Sequence, residues 1–154
     1  MTLKEKVEQA VGEYLEGKDI VLISLKCSAS SVIEVTLDSM EGVTIDTCIE
    51  ANRFIESRLD REEQDFELTV GSASISEPMT HPLQYRKNIS REVEIMEEGS
   101  RTKLIATLAD ADDNGITVTY KEKIAQEGKK RKVEVEQRRA IPFSALKSVR
   151  LHFR

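Results

Sequence analysis

Apolar residues recur at Leu3, Val7, Ala10, Val11, Tyr14 and Leu15, with Lys and Glu between them. That spacing predicts an amphipathic helix over 2–16, stopped by Gly17. The β-branched run over 20–26 predicts a strand. Ser28, Ala29, Ser30 and Ser31 form a turn, and over 32–38 the side chains alternate. Ile33, Val35 and Leu37 fall on one face, and Glu34, Thr36 and Asp38 on the other, so this is a half-buried strand paired with the previous one. A second helix is expected over 45–59. Ile45, Cys48, Ala51, Ile55 and Leu59 make its apolar stripe, and Thr47 with Glu50 has capping-box spacing. Phe66, Leu68 and Val70 then alternate as a third strand. Helix, strand, strand, helix, strand makes a small α/β layer with both helices on one face of a sheet.

Residues 71–83 break the pattern. Gly71, Ser72, Ala73 and Ser74 are followed by Pro78 and Pro82, the composition of a linker or functional loop. Beyond it the pattern turns all-β. Short alternating runs are centred on Val93 and Ile95, on Leu104, Ala106 and Leu108, on Ile116, Val118 and Tyr120, on Val133 and Val135, and on Val149, Leu151 and Phe153. An acidic hairpin turn, Asp110 to Gly115, closes on Asn-Gly. A short helical turn at Ile141 to Ser144 precedes the last strand. Five short strands in this length predict a small SH3-like β-barrel. The expected fold is α+β, with an α/β domain over 1–83 (its last part the interdomain loop 71–83) and the barrel over 84–154.

Charge separates the same two regions. The chain has 154 residues, 39% hydrophobic and 33% charged, with a net charge of -5. This excludes a uniformly basic nucleic-acid binder. Residues 1–83 hold 7 Lys and Arg against 17 Asp and Glu, and residues 84–154 hold 16 against 11. An acidic half suits a basic protein partner, and a basic half suits a phosphate backbone. The basic run Lys129, Lys130, Arg131 and Lys132, with Arg138 in the following strand, is the candidate phosphate contact. Arg139 succeeds Arg138 and faces the other way, so at most one of the two shares that patch. Glu50, Glu56, Glu62 and Glu63 are the candidate acidic contacts. Aromatic residues are only 5% and Trp is absent, which argues against a stacking platform for single-stranded nucleic acid.

Catalytic chemistry is not legible. Only His81 and His152 are histidines, and surface or capping roles are expected of both. Cys27 and Cys48 lack metal-ligand spacing, and Cys48 is expected in the core. The Asp110, Asp112, Asp113 cluster lacks the ligand spacing of a calcium loop. No nucleotide-binding or nucleophile-elbow motif occurs. No apolar run approaches the roughly 18–20 residues of a membrane span, and no signal peptide is readable at the start. A cytoplasmic, monomeric protein with free thiols, no cofactor and no small-molecule substrate is expected.

Three stretches carry a family resemblance. The first runs from Val35 through Asp38 and Gly42 to Cys48, a strand ending in Asp, a Gly-containing turn and a helix start. The second is Phe66 to Val70 followed by Gly71, Ser72, Ala73, Ser74, Ile75, Ser76, Glu77, Pro78 and Met79. The third is Ile141 to Leu151. In this order they resemble the RimP family of bacterial ribosome maturation factors, over nearly the whole chain. Ser72, Ile75, Pro78 and Met79 keep the chemistry of the family's loop. Gly71, Ala73, Ser74 and Ser76 depart from it, and Glu77 reverses the charge of the family's Arg. The resemblance implies an α/β domain and an SH3-like barrel, no enzymatic activity and no cofactor. It implies binding to the immature small (30S) ribosomal subunit, through rRNA and a basic ribosomal protein. The segment Gly71 to Met79 is expected to be part of the contact. The alternative is a general RNA-binding module or RNA chaperone acting through the barrel.

Overall fold

Two apolar clusters, formed by different parts of the chain, organise the structure. The computed structural model describes residues 1–125, 127–128 and 131–153. The chain divides into two units, Met1–Ser74 and Ile75–Arg154. The class is α+β, with three α-helices and two sheets among the described residues.

In the first unit, α1 (Leu3–Leu15) opens on a reciprocal cap. The Glu5 N–H donates to Thr2 Oγ1 at 3.1 Å, and the Thr2 N–H donates to the Glu5 carboxylate at 3.3 Å. These bonds satisfy donors that a helix start leaves unpaired. Strands β1 (Ile20–Cys27), β2 (Val32–Ser39) and β3 (Glu67–Ser72) form a sheet in that order, and α2 (Ile45–Ser57) connects β2 to β3. β1 and β2 are antiparallel, whereas β2 and β3 are parallel, as a helical crossover permits. β2 is central, and its inward residues Ile33, Val35 and Leu37 are at most 2% exposed. They meet Val7, Ala10, Val11 and Tyr14 of α1 and Ala51 and Ile55 of α2 in one core.

Three details of α2 differ from the sequence expectation. Its N-cap is Thr44, whose Oγ1 accepts from the Thr47 N–H at 3.1 Å, and not Thr47 with Glu50. Ile45 therefore occupies the first helical position, before the stripe has turned onto the sheet, and is 79% exposed. Cys48 is half-buried and does not belong to the fully packed core.

The second unit is not purely β. Pro82–Lys87 forms a short helix, α3. His81 caps it: the Leu83 N–H donates to His81 Nδ1 at 3.0 Å, and Gln84 Oε1 accepts from the His81 N–H at 3.0 Å. Pro82 stands at the first helical position, where its missing N–H costs nothing. A six-residue helix that opens on a proline has too little periodic pattern to register. Gly71 and Ser72, expected in a linker, instead complete β3.

Five strands follow: β4 (Glu92–Glu97), β5 (Leu104–Ala111), β6 (Gly115–Ile124), β7 (Val133–Pro142) and β8 (Leu146–Leu151). A 3-10 turn, Phe143–Ala145, separates the last two. The sheet order is β7-β6-β5-β4-β8, so the final strand returns to pair antiparallel with the first. The pairing is an open order; no β7–β8 ladder closes it among the described residues. Val93, Ile95, Leu108, Val118 and Val149 are fully buried and define the second core. His152 lies just beyond β8, with its side chain one-fifth exposed rather than on an open strand face.

The Asn-Gly turn works differently from a positive-φ hairpin. Neither Asn114 nor Gly115 has a positive φ. The Asp112 carboxylate accepts from the Asn114 N–H at 2.7 Å and from the Gly115 N–H at 3.0 Å. Glycine is required at 115 because β7 passes against it. A side chain there would meet the Ile141 carbonyl and lie 2.7 Å from the Pro142 Cα. Gly115→Ala should destabilise the protein by about 1–3 kcal/mol, because backbone must move. Gly12→Ala, at an open position within α1, should stabilise it by about 0.5–1 kcal/mol. Denaturant unfolding of both variants checks this, and a neutral Gly115→Ala contradicts it.

Candidate functional site

The segment expected to make contact is anchored at both ends. Gly71 and Ser72 pair with Thr36 and Leu37 of β2, and the Ala73 N–H donates to the Leu37 carbonyl at 2.9 Å. Ser72, Ser74, Ile75, Ser76 and Glu77 are exposed, Ile75 to 67%. Pro78 is half-buried, and Met79 is drawn into the second core. The Met79 N–H donates to the Val149 carbonyl at 2.7 Å, and its own carbonyl accepts from the Tyr85 hydroxyl at 2.9 Å. The first four candidate residues thus belong to the first unit, and Ile75, Ser76, Pro78 and Met79 to the second.

The basic candidates are spread along one hairpin. Lys129 and Lys130 lie outside the described residues. Arg131 and Lys132 are exposed just before β7. Arg138 is exposed on β7, opposite Thr119. It lies six positions beyond Lys132, a distance of about 20 Å along an extended chain. Arg139 is engaged elsewhere, with its guanidinium 2.7 Å from the Glu97 carboxylate. Desolvation opposes its charge, but the hydrogen bond with Tyr120 and the Glu97 carboxylate outweigh that and raise its pKa.

Among the acidic candidates, Glu56 pairs with Arg61 at 2.9 Å and Glu63 with Lys6 at 3.0 Å. Glu50 accepts from the Tyr14 hydroxyl at 3.1 Å. Burial, reinforced by this bond and the Glu50 charge, pushes the Tyr14 phenol up to about 12. Burial also pushes the Cys48 thiol up, which makes it a poorer nucleophile at neutral pH. Among the described residues no cluster of His, Cys, Asp and Glu is arranged to hold a metal ion. No helix among them is long and apolar enough to cross a membrane.

Two concavities of the second unit had no signal in the sequence. One, of about 450 Å³, is walled by Pro78, Met79, Pro82, Tyr85 and Phe143, with Lys147 at its edge. The other, of about 420 Å³, lies along β4 and β8 and is lined by Glu94, Met96, Lys103, Lys147, Ser148 and Arg150. The Glu94↔Arg150 and Met96↔Ser148 pairs build its floor. These residues come together only through strand pairing, which no local pattern encodes.

No protein-family model matches the chain. Curated proteins do. It is 40% identical over 143 residues to the ribosome maturation factor RimP of Christiangramia forsetii, covering 92% of each chain. It is 35% identical to the RimP of Flavobacterium psychrophilum, over 94% of this chain and 90% of that one. It is 30% identical to the RimP of Porphyromonas gingivalis, over 94% of both.

The Tyr14–Glu50 contact has a measurable pH signature. The folded-state pKa of Tyr14, about 12, lies above the value of about 10 expected in the unfolded chain. The stability it contributes is complete below about pH 10 and is lost as pH rises toward about 12. Denaturant unfolding at pH 9 and pH 11 should therefore show a smaller loss in Tyr14→Phe than in the wild type. Equal losses contradict the assignment.

Proposed function

Because the chain belongs to the RimP family of ribosome maturation factors, we propose that it binds the free small (30S) ribosomal subunit and assists its maturation. The observation that carries this reading is 40% identity across 92% of the chain. Such a match spans both units and leaves no large region to a different task. The reading is of a binding factor in the cytoplasm, acting as a monomer and without a cofactor. It favours an immature arrangement of the particle by binding it more tightly than the finished one.

The two units suit different partners. The first is acidic and exposes apolar residues beside its carboxylates, namely Ile45 and Ile49 on α2. A basic ribosomal protein with an apolar anchor is the complementary partner. We read the second unit as an SH3-like barrel. The meander β4 to β7, the 3-10 turn and the return of β8 to β4 support that reading. Its contact is with rRNA, through backbone phosphates and shape rather than base sequence. Arg131, Lys132 and Arg138, exposed before and along β7, supply positive charge for this contact, and Lys129 and Lys130 adjoin them in the sequence. Ser74 to Glu77, exposed between anchored ends, is the remaining contact.

Sucrose-gradient sedimentation of cell extract tests the reading. The protein should travel with free small subunits and be absent from polysomes. Even distribution over all RNA-containing fractions would favour the general RNA-binding module. Replacing Ser74, Ile75, Ser76 and Glu77 with Gly and Ser should weaken subunit binding by roughly tenfold, the scale of a few lost anchors. Neutralising Arg131, Lys132 and Arg138 together should lower subunit affinity and flatten its salt dependence. It should leave stability within about 0.5 kcal/mol, because all three are exposed. Unchanged affinity and slope would remove these residues from the contact.

A further inference from the structure

The two concavities of the second unit share Lys147 and Ser148, so they adjoin along its surface as a two-part groove. One end is apolar and aromatic. Phe143 is half-buried and stands against Tyr85 at 5.3 Å between ring centroids, tilted by 44°. The Tyr85 hydroxyl is tied to the Met79 carbonyl, which fixes that ring and with it the Phe143 face. Pro78 and Pro82 supply further apolar walls, and Asp113 places a carboxylate in the lining. The other end is cationic. Lys103, Lys147 and Arg150 are exposed there, and Glu94 is the one carboxylate in the lining. The Glu94 carboxylate is held 3.5 Å from the Lys103 ammonium and faces His152 Nδ1 at 3.9 Å. Three cations against two carboxylates, Glu94 and Asp113, leave the groove lining with a net positive charge in a chain whose net charge is -5.

We propose that this groove binds single-stranded RNA, with one unstacked base in the Phe143 pocket and its neighbouring phosphates on Lys147, Lys103 and Arg150. This deepens the reading of the chain as a subunit-binding factor, and rests on it. A cavity of about 450 Å³ falls within the range of about 300–1,000 Å³ typical of small-ligand sites, enough for one base. A base needs apolar faces on its rings and a polar group at its edge. Phe143 and the prolines offer the faces, and Asp113 an acceptor for an exocyclic amino group. The phosphates need cations a short distance away, and Lys147 stands where the two ends meet. Duplex RNA keeps its bases stacked and cannot fill the pocket, so single strands are selected. The low aromatic content is no obstacle, because the groove accommodates one base and is not a platform for many.

Anisotropy of a labelled single-stranded RNA of about a dozen nucleotides, titrated with the full chain, tests the proposal. The single strand should bind more tightly than the same sequence annealed into a duplex. The triple substitution Lys103→Gln, Lys147→Gln and Arg150→Gln should lower affinity at least about tenfold and flatten the log K against log salt slope by about 2. An abasic strand of equal length and charge should bind at least about fivefold more weakly, with no change to the protein. Phe143→Leu should show a similar loss with the salt slope unchanged. Equal affinity for duplex, abasic and ordinary strands overturns the proposal. So does an acidic peptide that binds as tightly as RNA, which would make the groove a protein site. Co-sedimentation separates the two claims. A chain that joins free subunits but ignores single-stranded RNA refutes the groove and keeps the function. A chain that binds single strands through the groove but never joins subunits refutes the function and keeps the groove.

Discussion

The ladder between β4 and β8 joins the start of the second sheet to the end of the chain. Val93 pairs with Leu151 and Ile95 with Val149, and all four side chains are buried. Closing so long a loop costs chain entropy, which these apolar contacts offset only when the whole meander between them is in place. The same ladder accepts the Met79 N–H through the Val149 carbonyl and so seats the segment that enters the unit. It also sets Ser148 and Arg150 beside Met96 and Glu94 on the outward face. Core, entry segment and cationic groove therefore share one pairing.

The first unit depends on a different arrangement. β2 is the central strand of its three-stranded sheet, and its three inward residues are covered by α1 and α2. The parallel partner β3 reaches its place through α2, so the helix that fills the core also sets the strand register. What remains outside is acidic, with Ile45 and Ile49 among the carboxylates. The two units thus differ in charge, the first acidic and the second basic, and the proposed contacts with a basic protein and with RNA rest on that contrast.

Alternation locates most of the strands, and a β-branched run locates β1. Ile33, Val35 and Leu37, and again Val93 and Ile95, are core because a period of two leaves them no other face. α1 followed from its stripe in the same way. The failures were local competitions. Thr44 outcompeted Thr47 for the start of α2, since both offer a hydroxyl and only the chain direction out of the preceding turn separates them. α3 opens on Pro82 within a Pro-punctuated segment that reads as loop, its cap supplied by His81, one of the roles expected of that residue. Gly115 was read as a turn residue, although strand crowding explains it. The groove was beyond reach altogether. Lys103 precedes Phe143 and Lys147 by 40 residues or more, and only strand pairing brings it beside them.

The central claim is preference for an unfinished small subunit, and equilibrium binding measures it directly. Labelled full-length chain is titrated with purified immature small subunits and with mature ones, at the same salt concentration. The account predicts at least about tenfold tighter binding to the immature particle, a difference of about 1.4 kcal/mol. Equal affinity for the two particles would contradict it, because a factor that does not distinguish the states cannot favour either.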